Sequence, residues 1–499
     1  TTAYATALDA GQIAELSDTS APADLQDMLV ASPHDERTRL YYDASGRPAA
    51  QIDAAGDLTV YSYDPGTDTT TTTRYADALT AMQLGALDGS ESVADLVDDL
   101  GSNLESEQSS VTYDAFGQAA SRTDVDGTVT SYIYDGAGRV LSTTVTPANG
   151  QGAPRTASNT YDSQGNLLTV TDANGGVTRY EYNAAGQRTK ATDADGNSAW
   201  YYYDSAGRLA YVVEGEPVDP DDLNVYANAT AYAYDAFGEI VQTTRYSSQL
   251  SLTNTAGGGT GTLNPDIATM QSVAAAIATL GGAASTSATY TADGQVATTT
   301  DADGYHTRNS YDAFGELVQT QLQIDQAGQA LSSGNSTISE YSFDDRGLLV
   351  GETDGFGSTV QRDTSVSYDA FGNRVQTADG NGDSTAYSYD TLNRQTGTTQ
   401  AVQGAVRGAQ VTYDAFNRVL TRTDALGRTT TYSYDLANHR ITVTSPDGVV
   451  MTTVKDAFGD TISIADGAGN TASHTYDNNG NPLTTTDALG NTSSNAYDA

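Results

Sequence analysis

The sequence predicts a mainly β fold: an antiparallel array of β-hairpins interrupted by small helical-hairpin inserts. Three observations predict it. Tyr-Asp pairs keep a beat of 21 residues, at Tyr161, Tyr182 (followed by Asn) and Tyr203, and again at Tyr413, Tyr434, Lys455, Tyr476 and Tyr497. Within each beat lie two Asp-x-x-Gly quartets, alternately 10 and 11 residues apart, as at Asp162–Gly165, Asp172–Gly175, Asp193–Gly196 and Asp204–Gly207. Between quartets lie short runs rich in Thr, Val and Tyr. A fixed period of about 20–50 residues is the mark of an architecture stacked from one small unit.

Each quartet reads as a turn. Asp at the first position accepts hydrogen bonds from its own backbone two residues on, and Gly at the fourth supplies a left-handed conformation. Asn393, Asn417 and Asn438 replace that Gly, and Asn is the next residue most able to take positive φ. The β-branched and aromatic runs between turns, such as 167–171 and 176–182, read as strands. One beat is then a hairpin plus the turn into the next. The residues that carry the structural repeat are Tyr113, Asp114, Gly117, Tyr134, Asp135 and Gly138, then Tyr161, Asp162, Gly165, Tyr203, Asp204 and Gly207. Tyr368, Asp369, Gly372, Tyr434, Asp435, Asn438, Tyr476, Asp477 and Gly480 continue it. Tyrosines two apart, such as Tyr132 and Tyr134, or Tyr432 and Tyr434, share one face of a strand. Stacked hairpins are expected to align these rings into ladders.

The interruptions repeat too. Residues 1–42 and 72–113 align without a gap at an offset of 71, Tyr4 on Tyr75, Leu8 on Leu79 and Leu29 on Leu100. Val93, Leu96, Val97, Leu100 and Leu104 follow helical spacing, Ser90 or Ser92 is placed to cap that helix, and Gly101 to end it. A looser third copy runs from Asn264 to Gly281, with Asn264 as the expected N-cap and Pro265 at the first helical position. Docking onto the sheet is the expected fate of the apolar stripes. The organisation read from these signals is a helical insert at 1–40, repeats at 41–71, a helical insert at 72–110, repeats at 111–238, a loop plus helical insert at 239–288, and repeats at 289–499. The last repeat is incomplete, and the sequence reads as a segment of a longer protein. The stretch 256–262 reads as a low-complexity loop.

Composition narrows the function classes. The formal net charge is −41, from 64 acidic and 23 basic residues, of which only Lys190 and Lys455 are lysine. Such a field repels phosphate backbones, so nucleic acid is excluded as a partner. With no cysteine there is neither disulfide nor thiolate metal site. No apolar run approaches the ~18 residues of a membrane-spanning helix, so no membrane insertion is expected.

The segments 134–141 (Tyr-Asp-Gly-Ala-Gly-Arg-Val-Leu) and 423–435 (Thr-Asp-Ala-Leu-Gly-Arg-Thr-Thr-Thr-Tyr-Ser-Tyr-Asp) resemble the YD repeat of Rhs proteins, also found in Tc-toxin cage components and teneurins. The resemblance covers nearly the whole chain outside the inserts. It implies a hairpin strip that spirals, forming a strip or a hollow shell, and in bacterial relatives a shell around a C-terminal toxin. The self-cleavage core segment and plug domains of toxin-type relatives have no counterpart in these residues.

Chemistry is sparse. Asp379, Asn381 and Asp383 place oxygens at alternate positions as a calcium loop does, with Asp390 twelfth, but Ser384 stands where an EF-hand needs Gly. These residues, like the turns at Asp124, Asp193 and Asp301, read as plain turn aspartates. His34, His306, His439 and His474 have no second His at ligand spacing, and no nucleophile motif is present. The expectation is therefore no enzyme, no cofactor, no metal and no catalytic residue. The expected role is a structural scaffold of a secreted or cell-surface protein that encloses or displays a passenger domain of the same chain. The alternatives are a toxin-encapsulating cage and an adhesin binding a cell-surface protein or glycan.

Overall fold

The computed structural model describes residues 2–3, 36–101, 104–148, 152–216, 226–252, 262–324 and 337–497. The sequence-predicted loop at 256–262, apart from Thr262, and almost all of the 1–40 insert lie outside these residues. The chain forms two units. One comprises Thr1–Thr156 and Thr364–Ala496, the other Ala157–Asp363 and Tyr497–Ala499.

Both units are built from antiparallel hairpins. Ala157–Asp363 contains a representative pair: Leu167–Thr171 lies between Arg155–Tyr161 and Val177–Tyr182. Inside the hairpin the register runs Thr160↔Thr169, then slips at a bulge to Tyr161↔Leu167. Between hairpins only three pairs form, Thr169↔Arg179, Val170↔Thr178 and Thr171↔Val177. The other unit repeats this, as in Val419–Thr423 against Thr429–Asp435, again through three pairs.

The turn between these strands explains the quartet. The Asp162 N–H donates to the Asn166 carbonyl at 2.9 Å, and the Gly165 N–H to the Asp162 carbonyl at 3.2 Å. Asp162 Oδ1 accepts from the N–H groups of Gln164 and Asn166 at 2.9 and 2.8 Å. Gly165 sits at φ +96°, closing a type I turn with a left-handed residue. Asn393 and Asn417 take φ +60° and +66° in its place. Asn438 corrects the sequence reading. Its turn is one residue longer, Leu436–Asn438 forms a 3-10 turn, and His439 carries the positive φ of +49°. A register of Asp435↔Arg440 leaves room for that extra residue.

Three helices lie among the described residues: α1 (Ala81–Ala86), α2 (Val93–Asp99) and α3 (Met270–Ile277). Each starts with a reciprocal capping box, on Thr80, Ser92 and Thr269. Within the segment 72–110 the helices are confined to α1 and α2. Thr69–Ala78 and Ser106–Tyr113 are long strands paired to one another from Thr69↔Thr112 to Tyr75↔Ser106. The expectation for α3 also needs correction. Asn264 and Pro265 form a separate turn, in which Asn264 Oδ1 accepts the Asp266 N–H, and the helix starts at Met270. Asn bonds its own backbone two residues on as readily as it caps a helix, and here the local turn wins.

The buried core sits where helices meet sheet. Leu96 of α2 is fully buried with Ile52, Leu58 and Leu79. Val273 and Ile277 of α3 are buried with Trp200, Val213, Leu250 and Leu263. Fully burying one such side chain contributes about 1.5–3 kcal/mol. Elsewhere the strands are mostly half-buried, so stability there rests on ladders, turns and neighbour contacts, as in repeat arrays.

Candidate functional site: the Tyr-Asp turn edge

The repeat residues converge on one edge of each hairpin. The tyrosine before the turn Asp points its hydroxyl across to the preceding hairpin. Tyr434 donates to the Val419 carbonyl at 2.9 Å, Tyr476 to Thr461 at 2.8 Å, Tyr134 to Ala119 at 2.9 Å and Tyr203 to Arg188 at 2.8 Å. At each of these four junctions the neighbouring hairpins share three ladder pairs, and the tyrosine hydroxyl adds a bond beyond them. Desolvation raises the pKa of Tyr434, Tyr476 and Tyr203, so each remains a donor.

The expected tyrosine ladders take a different form. Among the described residues one tyrosine pair stacks, Tyr132 with Tyr134, at a centroid distance of 6.3 Å. More tyrosine rings are covered by an arginine than by another tyrosine. The guanidinium of Arg208 lies 4.7 Å from the Tyr234 ring, Arg394 4.9 Å from Tyr413 and Arg418 4.8 Å from Tyr434. All three stand at the fifth turn position, directly after the Gly or Asn. There each also pairs with its own turn Asp: Arg208–Asp204 at 2.8 Å, Arg394–Asp390 and Arg418–Asp414 at 2.7 Å. These bonds hold the Asp204 carboxyl below its ordinary range, chiefly through the backbone and side chain of Arg208.

The fifth position thus has a small vocabulary. Where it is Asn, as at Asn166, Asn373 and Asn481, its amide donates to the second carboxylate oxygen of the turn Asp. Where it is Gln, the amide reaches the next Tyr-Asp turn instead: Gln118 donates to the Gly138 carbonyl, Gln187 to Gly207 and Gln295 to Gly315. Sequence reasoning named Tyr, Asp and Gly but missed this position. The recurrence of Arg directly after the turn residue, at Arg47, Arg139, Arg208, Arg394 and Arg418, was the available signal.

The first unit also contains a long-range seam. Strand ends of residues 74–155 meet the Tyr-Asp turns of residues 414–460. Arg74 donates to the Ala415 carbonyl at 2.7 Å, Arg418 pairs with Glu107 at 2.7 Å, and Arg155 pairs with Asp460 at 3.1 Å. The beat breaks on this seam, at Lys455. There the ladder between Arg440–Thr444 and Val450–Lys455 lengthens to five pairs, and the Lys455 N–H donates to the His439 carbonyl at 2.9 Å. Backbone pairing thus does there what a tyrosine does elsewhere. A cleft of about 490 Å³ lies beside it, lined by Val125, Asp126, His439, Ile441 and Phe458 among others.

Chemistry-bearing groups do not converge. The Asp379 turn points inward on itself: its Oδ1 accepts from the N–H groups of Asn381 and Asp383, and Asp383 Oδ1 accepts from the Gln403 N–H. His306 and His474 bond to Thr300 and Thr485. Among the described residues no three His, Asp or Glu side chains gather in a way that could hold a metal ion, and no helix is long and apolar enough to cross a membrane.

The RHS Repeat family model matches residues 113–151, 161–198, 343–383, 368–405, 413–450 and 456–492. No curated protein sequence matches the chain. Solved structures similar to it include the TcdB2-TccC3-Cdc42 complex, at 16% identity and a TM-score of 0.39 over 91% of this chain. The TcdB2-TccC3-TEV structure gives 16% identity and 0.41 over 91%, and the Photorhabdus luminescens Tc holotoxin pore 16% and 0.38 over 91%. The aligned part amounts to only 25–26% of those chains. Six family matches, together covering fewer than half of the residues, coincide with the turn geometry described above: the chain carries RHS repeats and is similar to the Rhs, or YD-repeat, family.

Proposed function

We propose that this run of repeats is the wall of a secreted or cell-surface protein, and that the wall encloses or displays a passenger domain of the same chain. The seam carries this reading. Strand ends and turns from segments about 300 residues apart in sequence hold one another through Arg74, Arg418 and Arg155, and edges joined in this way build a surface instead of a ribbon. A toxin-encapsulating cage is the form this role takes if the passenger is a toxin. No nucleic acid and no cofactor enter the reading. Neither does catalysis.

A second reading, an adhesin that binds a cell-surface protein or glycan, is favoured by aromatic turn tips. Phe116, Phe237 and Phe314 are about nine-tenths exposed, and aromatic faces suit wet binding surfaces. Electron microscopy of the purified full-length protein separates the two. A closed wall with density inside supports the enclosing role; an open rod without internal density overturns it in favour of the adhesin.

A further inference from the structure

One turn sequence recurs with two fates. Asp-Ala-Phe-Gly-Asp at 456–460 is occupied by an arginine from elsewhere in the same unit. The guanidinium of Arg155 lies 3.6 Å from the centroid of the Phe458 ring. Its two terminal nitrogens donate to Asp460 Oδ2 at 3.2 and 3.1 Å, and one lies 3.6 Å from Asp456 Oδ2. The three groups form a socket: a ring for the flat face of the cation and two carboxylates for its edge. Arg74 uses the related turn at 414–418 similarly, 5.8 Å from the Phe416 ring and bonded to the Ala415 carbonyl.

The same elements recur in the other unit with, among the described residues, no arginine seated on the ring or paired with the fifth-position acid; at the first of them Arg208 donates only to the Asp235 carbonyl, at 3.0 Å. Residues 235–239 and 312–316 both read Asp-Ala-Phe-Gly-Glu. Phe237 is 92% exposed and Phe314 is 90% exposed. Each turn has the backbone geometry of its occupied counterpart: the turn Asp accepts from the N–H groups of the third and fifth residues. The fifth-position acid also leans the same way. Asp460 lies against Gly480 of the next Tyr-Asp turn, Glu239 against Gly294 and Glu316 against Gly347.

A carboxylate is a poor occupant of that place. Gln at the fifth position donates to the neighbouring turn carbonyl, whereas an ionised carboxylate has nothing to donate. Among the described residues neither Glu239 nor Glu316 is paired with a cation. Desolvation and the adjacent turn Asp raise the pKa of both, as expected for two acids awaiting a counter-charge.

We propose that the turns at 235–239 and 312–316 are guanidinium sockets, each binding an arginine side chain presented by a partner polypeptide. The net charge of −41 attracts such a partner. The ring selects arginine over lysine, because a planar guanidinium stacks on an aromatic face while its forked edge meets carboxylate oxygens. This inference does not depend on the wall enclosing anything.

The test uses the 499-residue chain labelled with fluorinated phenylalanine and followed by ¹⁹F NMR. The probes are N-acetyl-arginine amide and N-acetyl-lysine amide. The Phe237 and Phe314 resonances, assigned with F237L and F314L, are expected to shift with the arginine probe at about tenfold lower concentration than with the lysine probe. The E239Q/E316Q variant should weaken the arginine response about tenfold. Phe116, whose turn carries Gln118 at the fifth position, should stay unmoved. Equal response to both probes, equal response of Phe116, or an unchanged titration of E239Q/E316Q would each overturn the proposal. F237L and F314L lie on exposed turn side chains and E239Q/E316Q on half-buried ones, and an unchanged melting curve confirms that the variants fold.

Discussion

Glu107 and Arg418, 311 residues apart in the chain, meet at 2.7 Å. Arg418 is also bound to Asp414 of its own turn and stacked on Tyr434 of the next. One side chain therefore joins a turn, its neighbouring hairpin and a distant strand. Burial raises the pKa of Glu107, and Arg418 opposes that rise.

The coupling across this seam is measurable. In a double-mutant cycle, E107Q and R418M should show a coupling energy of about 1 kcal/mol by denaturant unfolding, more than the median exposed pair because both groups are mostly covered. R418M alone should cost more than E107Q alone, since it leaves Glu107 covered without its cation and strips two further contacts. Strictly additive effects would dismiss the seam as a source of stability.

The tyrosine staple predicts a local effect. Tyr434→Phe keeps the ring over which Arg418 lies but removes the hydroxyl bond to Val419. It should cost about 0.5–1.5 kcal/mol. Hydrogen exchange should speed up in the strands Val419–Thr423 and Thr429–Asp435, while distant hairpins keep their protection. Uniform loss of protection along the chain would contradict neighbour-limited stability.

Gly427 sits at φ +76° with open space where a side chain would go. Gly427→Val should therefore cost backbone strain alone, about 1–2 kcal/mol. Asn at the same place should cost less. Equal losses for Val and Asn would remove positive φ as the reason for the glycine.

Asp57 supplies a pH dependence. Burial, with Asp53 adding to it, pushes its pKa up to about 6. The folded state then holds a proton that the unfolded chain has lost, so the related stability is complete below about pH 4 and is lost as pH rises through about 6. Asp57→Asn should stabilise the protein by about 1 kcal/mol at pH 8, after allowance for partial solvation, and by nothing at pH 4. Thermal melts at the two pH values check this.

The beat made the turns legible because Asp and Gly each answer a local backbone demand. The hairpin pairing followed from the short runs between them. Less local features escaped. The tyrosines two apart do share a face, but their hydroxyls seek a carbonyl on another hairpin, which spacing does not specify. The Arg74–Ala415 and Arg155–Asp460 contacts span 341 and 305 residues, far beyond any periodic signal. Asn438 misled because the extra residue in its turn moved the left-handed position to His439. Asn264 misled because a cap and a local turn ask for the same side chain.

The division of labour between three ladder pairs and one hydroxyl has an evolutionary consequence. Outside the two helix-covered clusters, hairpins are joined without a shared buried apolar core, so recombination between near-identical beats there can add or delete a whole unit without redesigning the rest. Length in such a gene should drift faster than the identity of any Tyr-Asp turn.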